Sequence, residues 1–248
     1  MKQAEIFVRF IYAGILTLAV QGVKQPNLSA TSPPPQPPTT GTPKGNSTPG
    51  TTRPEATCKQ TNKPLTVLNA NNGNDFTASP YPSFWFYVPY SQDDVKHAEF
   101  LLLDGQEHKT IYQTTIKLTT KPGLLKITLP TNSQNLLDLN QNYRWYLLVN
   151  CYTSRSNEPD IVVDGWIQRK IIDVRRLQNL QTDESQKLLF YTKNNLWYDA
   201  VNDVAELHFQ YPNDAGIQAA WNNLLKELGK ESLAQEAFIG SIMLSTQQ

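Results

Sequence analysis

Three groups of side chains are of the types that transfer protons or activate nucleophiles. Adjacent carboxylates can act as a general acid and base, and so can a histidine beside a carboxylate. The candidates are Asp93 with Asp94, the group Asp104, Glu107 and His108, and the isolated His208. Local sequence predicts a simpler role for each: a polar loop before a strand, a hairpin turn, and a histidine packed on a helix face. None of the spacings GxSxG, HExxH, CxxC, GxGxxG or GxxxxGK[ST] occurs, so no catalytic residues are predicted and the protein is not expected to be an enzyme.

The metal-binding and charged residues exclude two further classes. His97, His108, His208 and the two cysteines are too scattered to predict a metal site, and no cofactor is predicted. The formal net charge is zero, so the chain lacks the basic field that attracts nucleic acid.

Aromatic residues are concentrated in "SPYPSFWFYVPY", residues 79–90, where they could build a binding surface. If this stretch is a strand, successive side chains point to opposite faces. Phe84, Phe86 and Val88 then share one face, and Trp85, Tyr87 and Pro89 share the other. Either Trp85, Tyr87 and Tyr90 form an open platform for a ligand, or the C-terminal helices cover this second face. The covered strand is the favoured prediction.

The motif "GWIQR" supplies two more candidate binding residues. Trp166 could stack on a ring, and Arg169 could hold a carboxylate. A last strand that joins the sheet to the helices explains both residues as well, and is preferred.

Two cysteines, Cys58 and Cys151, form an even pair in a chain that begins with an export-like segment. This favours a disulfide. The alternative is two unpaired thiols in a cytosolic protein.

The N-terminal part of the chain divides into two segments. Residues 1–22 combine Lys2 and Arg9 with an apolar run of signal-peptide length, which predicts a signal peptide; an uncleaved anchor or an ordinary helix are the alternatives. Residues 23–57 are rich in Pro, Thr and Ser and predict a disordered tether. A docking site for a proline-binding partner is the alternative for this tether.

Residues 58–170 show short apolar segments separated by turn signals, typical of an antiparallel β-sandwich. Seven such segments without a long helix predict an immunoglobulin-like sandwich. Leu139 lies four residues before Tyr143, which opens a strongly apolar segment. This spacing is that of the tyrosine corner, in which the hydroxyl bonds back to the preceding turn.

Residues 171–248 predict an α-helical region packed on the sandwich, so the fold class is α+β. Short helices are predicted at 174–181, after Thr182, and over 196–211, with a further helix between Asp214 and Gly229 and a last one over 231–244. A 34-residue period relates Asn195 to Gly229, which is the period of tetratricopeptide repeats. We therefore predict a degenerate tetratricopeptide-like hairpin, too short to fold as a free superhelix.

Four blocks carry a resemblance to a known family: "FWFYVPY" at 84–90, "YRWYLLVNC" at 143–151, "GWIQR" at 165–169 and "LWYDAV" at 196–201. With these blocks the chain resembles a cyanobacterial family catalogued as domain of unknown function 928, over residues 56–240. The resemblance implies an exported cyanobacterial protein. It implies no activity and carries no catalytic residue to this chain.

These observations favour a non-enzymatic, extracytoplasmic protein-interaction module, in the periplasm, attached to the envelope or secreted. The expected partner is a protein of the cell envelope, and membrane contact is expected only through residues 1–22 if they stay uncleaved. The alternative is a carbohydrate-binding or cell-wall-active protein that uses the aromatic platform, with a glycan as its ligand.

Overall fold

The computed structural model describes residues 58–131, 136–152, 159–173, 175, 180 and 184–243. The predicted signal segment 1–22, the tether 23–57 and nearly all of the helix predicted at 174–181 lie outside these ranges. None of the helices within the described ranges has the length and apolar character needed to cross a bilayer.

One sheet has five strands. These are β2 (Phe76–Thr77), β4 (Val95–Asp104), β5 (Thr110–Ile116), β7 (Asn142–Cys151) and β8 (Ile161–Arg169). They run in the order β2-β8-β7-β4-β5, with all neighbours antiparallel except β2 and β8. Along β7 every second residue is buried, as the two-residue period of a strand with one face in the core requires.

The second sheet has four strands. These are β1 (Thr66–Val67), β3 (Ser83–Val88), β6 (Gly123–Thr128) and β9 (Phe238–Met243). They run in the order β1-β3-β6-β9, and β9 joins β6 in parallel. Together with the helices these two sheets confirm the predicted α+β class.

Three helices follow the sandwich strands: α1 (Glu184–Lys193), α2 (Trp197–Gln210) and α3 (Ala215–Glu227). The predicted start of α3 is confirmed, because Asp214 Oδ1 accepts a hydrogen bond from the backbone N–H of Ile217 at 3.0 Å. The predicted end at Gly229 is also confirmed. Gly229 has φ +67°, and the N–H of Lys230 bonds back to the carbonyl of Leu225 at 2.8 Å, which closes the last turn.

The last predicted helix, over 231–244, is wrong. A single 3₁₀ turn occupies Glu231–Leu233, and the chain then forms β9. Gly240 has φ +149°, which a helix does not contain. The free edge of β6 offers a full ladder of backbone partners, and Ile239 and Ile242 pack against the sandwich core from β9. Tertiary pairing outweighs the local helical pattern here.

Strand β3 lies between two cores, as its alternation predicts. Phe84, Phe86 and Val88 belong to the core between the two sheets. Trp85 and Tyr87 belong to a second core, formed with the apolar faces of the three helices. The sandwich and the helices therefore share a strand, and all six residues of β3 are buried.

Tyr198 of α2 fastens the helices to the sandwich. Its ring lies in the inter-sheet core, 5.4 Å from the ring of Phe84 between centroids. Its hydroxyl accepts a hydrogen bond from Trp145 Nε1 at 2.7 Å and donates one to the carbonyl of Trp166 at 2.8 Å. The indole of Trp145 fits only because residue 165 is glycine: a Cβ there would lie 2.4 Å from the indole ring.

The predicted tyrosine contact is present at the start of β7. The hydroxyl of Tyr143 accepts a hydrogen bond from the backbone N–H of Asp138 at 2.9 Å. The preceding residues 137–139 are thereby fixed against the sheet, and Leu139 forms an isolated parallel bridge with Arg169.

Candidate functional site

The three aromatic residues predicted as a platform are buried. Trp85, Tyr87 and Tyr90 are 2%, 7% and 4% exposed. The indole of Trp85 stacks on Phe209 of α2 with 6.1 Å between centroids and contacts Phe238 of β9 at 5.4 Å. Helices and β9 thus occupy the place that a ligand of an open platform would take.

The two candidates on β8 are not brought together. Trp166 and Arg169 are three positions apart on one strand, so their side chains leave it in opposite directions. Arg169 Nη1 donates a hydrogen bond to the carbonyl of Leu137 at 3.0 Å, which holds the segment before β7. Trp166 instead lies on the outer face of the five-stranded sheet, partly exposed.

Around Trp166 the structure assembles a group that the sequence did not single out. The guanidinium carbon of Arg144 lies 4.8 Å from the centroid of the Trp166 ring and 5.4 Å from that of Tyr146. Arg144 also forms an ion pair with Asp164. The hydroxyl of Tyr146 donates a hydrogen bond to Glu107 at 2.8 Å. Alternation along β7 placed Arg144 and Tyr146 on one face, but the register of β7 against β8, which pairs Arg144 with Trp166, is a non-local feature.

Apolar side chains extend this group across the sheet. We call the whole set the outer sheet face; its members are Leu101, Leu103, Arg144, Tyr146, Leu148, Val162, Asp164 and Trp166. All but Asp164 are neither fully buried nor fully exposed, whereas the alternate residues of the same strands fill the inter-sheet core. In the described part of the chain the helices lie against β2 and β3, so the outer sheet face has no helix packed over it.

Partial burial shapes the electrostatics of the outer sheet face. Burial raises the pKa of Asp164, and the charge of Arg144 opposes this effect. Burial also raises the pKa of the Tyr146 phenol, and its hydrogen bond to Glu107 adds to the increase. Within the described residues, Trp166 Nε1 has no hydrogen-bond acceptor. The arrangement can present a fixed aromatic and cationic surface, but it holds no nucleophile or free base.

The comparison with protein-family models decides the relationship of the chain. A model described as Domain of Unknown Function (DUF928) matches residues 48–238, which is most of the chain. The chain belongs to the DUF928 family. No curated protein matches the chain, and no solved structure matches it.

The four blocks that resemble DUF928 sequences meet in the structure. "FWFYVPY" covers β3, "YRWYLLVNC" lies on β7, "GWIQR" lies on β8, and "LWYDAV" opens α2. The hydrogen bonds that join Trp145 to Tyr198 and Tyr198 to the Trp166 carbonyl connect three of these blocks directly. Phe84 of the fourth packs on Tyr198. In this member of the DUF928 family, the blocks therefore mark the junction between sandwich and helices.

Two carboxylates that the sequence did not single out are buried at this junction. Asp199 of α2 accepts a hydrogen bond from the N–H of Ala78 at 2.9 Å, and burial raises its pKa to about 7. Asp75 accepts bonds from the N–H groups of Ala70 and Asn71, and burial raises its pKa to about 6. Both groups hold backbone segments in place, so the geometry supports a structural role rather than acid–base chemistry on a substrate.

The other candidate residues take the simpler roles predicted for them. Asp94 accepts hydrogen bonds from the N–H and hydroxyl of Ser91 in a loop. Asp104 accepts bonds from the N–H groups of His108 and Lys109, as expected in a hairpin turn. His208 stacks on Trp221 with 5.3 Å between centroids, and burial lowers its pKa.

The predicted disulfide is confirmed. Cys58 and Cys151 are bonded, with 5.3 Å between their Cα atoms, and the bridge ties the first described residue to the end of β7. Asp160 lies beside the two sulfurs and accepts a hydrogen bond from the N–H of Cys151. Because both sulfurs are in the disulfide, this group does not offer thiolate ligands to a metal. Disulfides are typical of proteins in oxidising compartments.

Proposed function

We propose that this protein is a non-enzymatic, extracytoplasmic interaction module that binds a protein partner through the outer sheet face. The observation that carries the proposal is the position of Arg144 against the rings of Trp166 and Tyr146 on a sheet face without a helix over it. Trp, Tyr and Arg are the residues most enriched among those that dominate the binding energy of protein interfaces.

The side chains of this group are already held in place before a partner arrives. The ion pair to Asp164 and the hydrogen bond between Tyr146 and Glu107 restrict their rotation. A surface that is fixed in advance loses less conformational entropy on binding, so more of the contact energy contributes to affinity. The half-buried leucines and Val162 around the group supply the apolar area that surrounds such anchors.

We further infer that the sandwich is immunoglobulin-like. In such folds the third, sixth and seventh strands pair in one sheet, and the first, second and fifth in the other. The order β8-β7-β4-β5 beside β1-β3-β6 fits this arrangement, with β5 as the added strand of variable-type domains. The hydrogen bond from Asp138 to Tyr143 supports it as a tyrosine corner.

The helical region fits a degenerate tetratricopeptide-like hairpin less completely. The 34-residue spacing of Asn195 and Gly229 places both at positive φ, at the turns before α2 and after α3. Three helices do not make a free superhelix, and here their apolar faces are used to cover β3. We therefore assign the helices a structural role in this module.

The carbohydrate alternative has less support from the geometry. Sugar platforms present open ring faces, but Trp85 is covered by Phe209 and Phe238, and a face of Trp166 is occupied by Arg144. The proposed location outside the cytoplasm is supported by the disulfide and by the export-like sequence of residues 1–22.

Site-specific photocrosslinking tests the proposal. A photoreactive amino acid at Leu148, on the outer sheet face, should label one protein in intact cells, and the same residue at exposed Leu189 on α1 should not. Trp166→Ala should then weaken binding of the purified labelled protein at least tenfold. Equal labelling from both positions, or unchanged affinity in Trp166→Ala, would contradict the proposal. Glycan binding that is lost with Trp166→Ala would favour the alternative.

A further inference from the structure

The two sheets have four edges, and three of them carry features that prevent further pairing. β1 and β2 are two residues long, and Pro64 stands just before β1. β5 is preceded by Lys109 and followed by Lys117. Short strands, prolines and lysines are the usual means by which proteins keep sheet edges from pairing with another chain.

The fourth edge, formed by β9, lacks such features. Among the described residues β9 is the last strand of its sheet, so one side of its backbone has no strand partner. The sequence from Ala237 to Gln248 contains no charged residue and no proline. At six residues, β9 is as long as β3.

The second half of β9 is regular enough to accept another strand. One register shift lies between Leu124 and Leu125, opposite the start of β9. Ser241, Ile242 and Met243 then follow β6 in unbroken register. Ser241 is exposed, so a neighbouring strand can reach this part of the edge.

We propose that β9 pairs antiparallel with β9 of a second copy of this chain, which joins the two four-stranded sheets across a two-fold axis. A second copy fits because an uncharged strand offers no charge by which a charged partner would be selected, and a two-fold pair places the same uncharged residues opposite each other. Antiparallel pairing also gives the more stable ladder. This inference goes beyond the proposed function, since it uses the other sheet and shares no residue with the outer sheet face.

The dimer is expected to be weak. A single pair of six-residue strands buries less surface than the roughly 1,600 Å² of a standard stable interface. Association should therefore depend on protein concentration in the micromolar range.

Analytical ultracentrifugation of the full chain over increasing concentration tests the inference. The wild type should pass from monomer to dimer, and Ser241→Lys should weaken dimerisation at least tenfold, because a charge at the edge opposes pairing. The matched control is Thr115→Lys on β5, also exposed on an edge strand, which should dimerise like the wild type. A wild type that stays monomeric throughout, or a Ser241→Lys variant that dimerises normally, would overturn the inference.

A second variant keeps the test independent of folding defects. Ser241→Cys should form a disulfide-linked dimer under mild oxidation, since two-fold pairing brings the two β9 strands together, whereas Thr115→Cys should not. Failure of Ser241→Cys to crosslink in a natively folded sample, judged by its circular dichroism spectrum, would also overturn the inference.

Discussion

Tyr198 is the residue on which the junction between helices and sandwich depends. Its hydroxyl is the acceptor for Trp145 Nε1, and that indole is fully buried. Buried donors that lose their acceptor keep the full penalty of leaving water. A single oxygen atom on α2 therefore determines whether the sandwich core is satisfied.

Tyr198→Phe keeps the ring and removes this oxygen. We expect the free energy of unfolding to fall by about 1–3 kcal/mol, because Trp145 Nε1 and the Trp166 carbonyl both lose their partner. Urea denaturation followed by circular dichroism measures the change. Tyr152→Phe is the matched control, because Tyr152 is 62% exposed and its substitution should leave stability unchanged. Equal stability of the two variants would show that the hydroxyl has no such role.

Asp199 is expected to make stability depend on pH. Its pKa is about 7 in the folded protein against an ordinary value of 3.8, so the folded state holds a proton that the unfolded state has released between these values. Stability from this group is therefore full below about pH 4 and is lost as pH rises toward 7. Asp75, with a pKa of about 6, acts in the same direction.

Asp199→Asn should remove part of this dependence. The variant should lose less stability than the wild type between pH 4.5 and 7.5, as measured by urea denaturation at each pH. Asp93→Asn, in an exposed loop, is the control and should follow the wild type. A wild-type profile in Asp199→Asn would mean that the carboxyl is not buried at the junction.

At the level of elements, β9 is the part of the fold that replaces a predicted helix. Gly240 has φ +149°, where residues with a side chain are strained. Gly240→Ala should therefore destabilise the protein by more than about 1 kcal/mol. In a helix the same change would stabilise by about 1 kcal/mol. The sign of the change in urea denaturation thus distinguishes the two structures.

Local signals explain which elements the sequence could predict. The alternation in β3, the cap at Asp214 and the positive φ at Gly229 depend on neighbouring residues, and each is found where predicted. β9 and the contact of Arg144 with Trp166 could not be predicted in this way. Both depend on which strand lies beside which and in what register, and these are set by contacts between residues distant in sequence.

For the whole molecule, the disulfide closes a long part of the chain. Cys58 and Cys151 are 93 residues apart, so their bond restricts the unfolded state strongly. We expect the Cys58→Ser/Cys151→Ser double variant to lose about 4–5 kcal/mol in the chain-entropy model. Urea denaturation of this variant and of reduced wild type should give matching midpoints. A variant as stable as the oxidised wild type would contradict the expected contribution.

The overall arrangement also assigns different roles to the two outer surfaces of the sandwich. The four-stranded sheet is covered by helices that complete its core, and the five-stranded sheet keeps an outer face with fixed aromatic residues. The most direct test of this account compares Trp85→Ala with Trp166→Ala in urea denaturation. Trp85→Ala should lose about 3–5 kcal/mol, as expected for a large aromatic residue removed from a core. Trp166→Ala should lose only about 1 kcal/mol, since it gives up one cation–π contact on a partly exposed surface. Unchanged stability in Trp85→Ala, or an equal loss in both variants, would contradict the account.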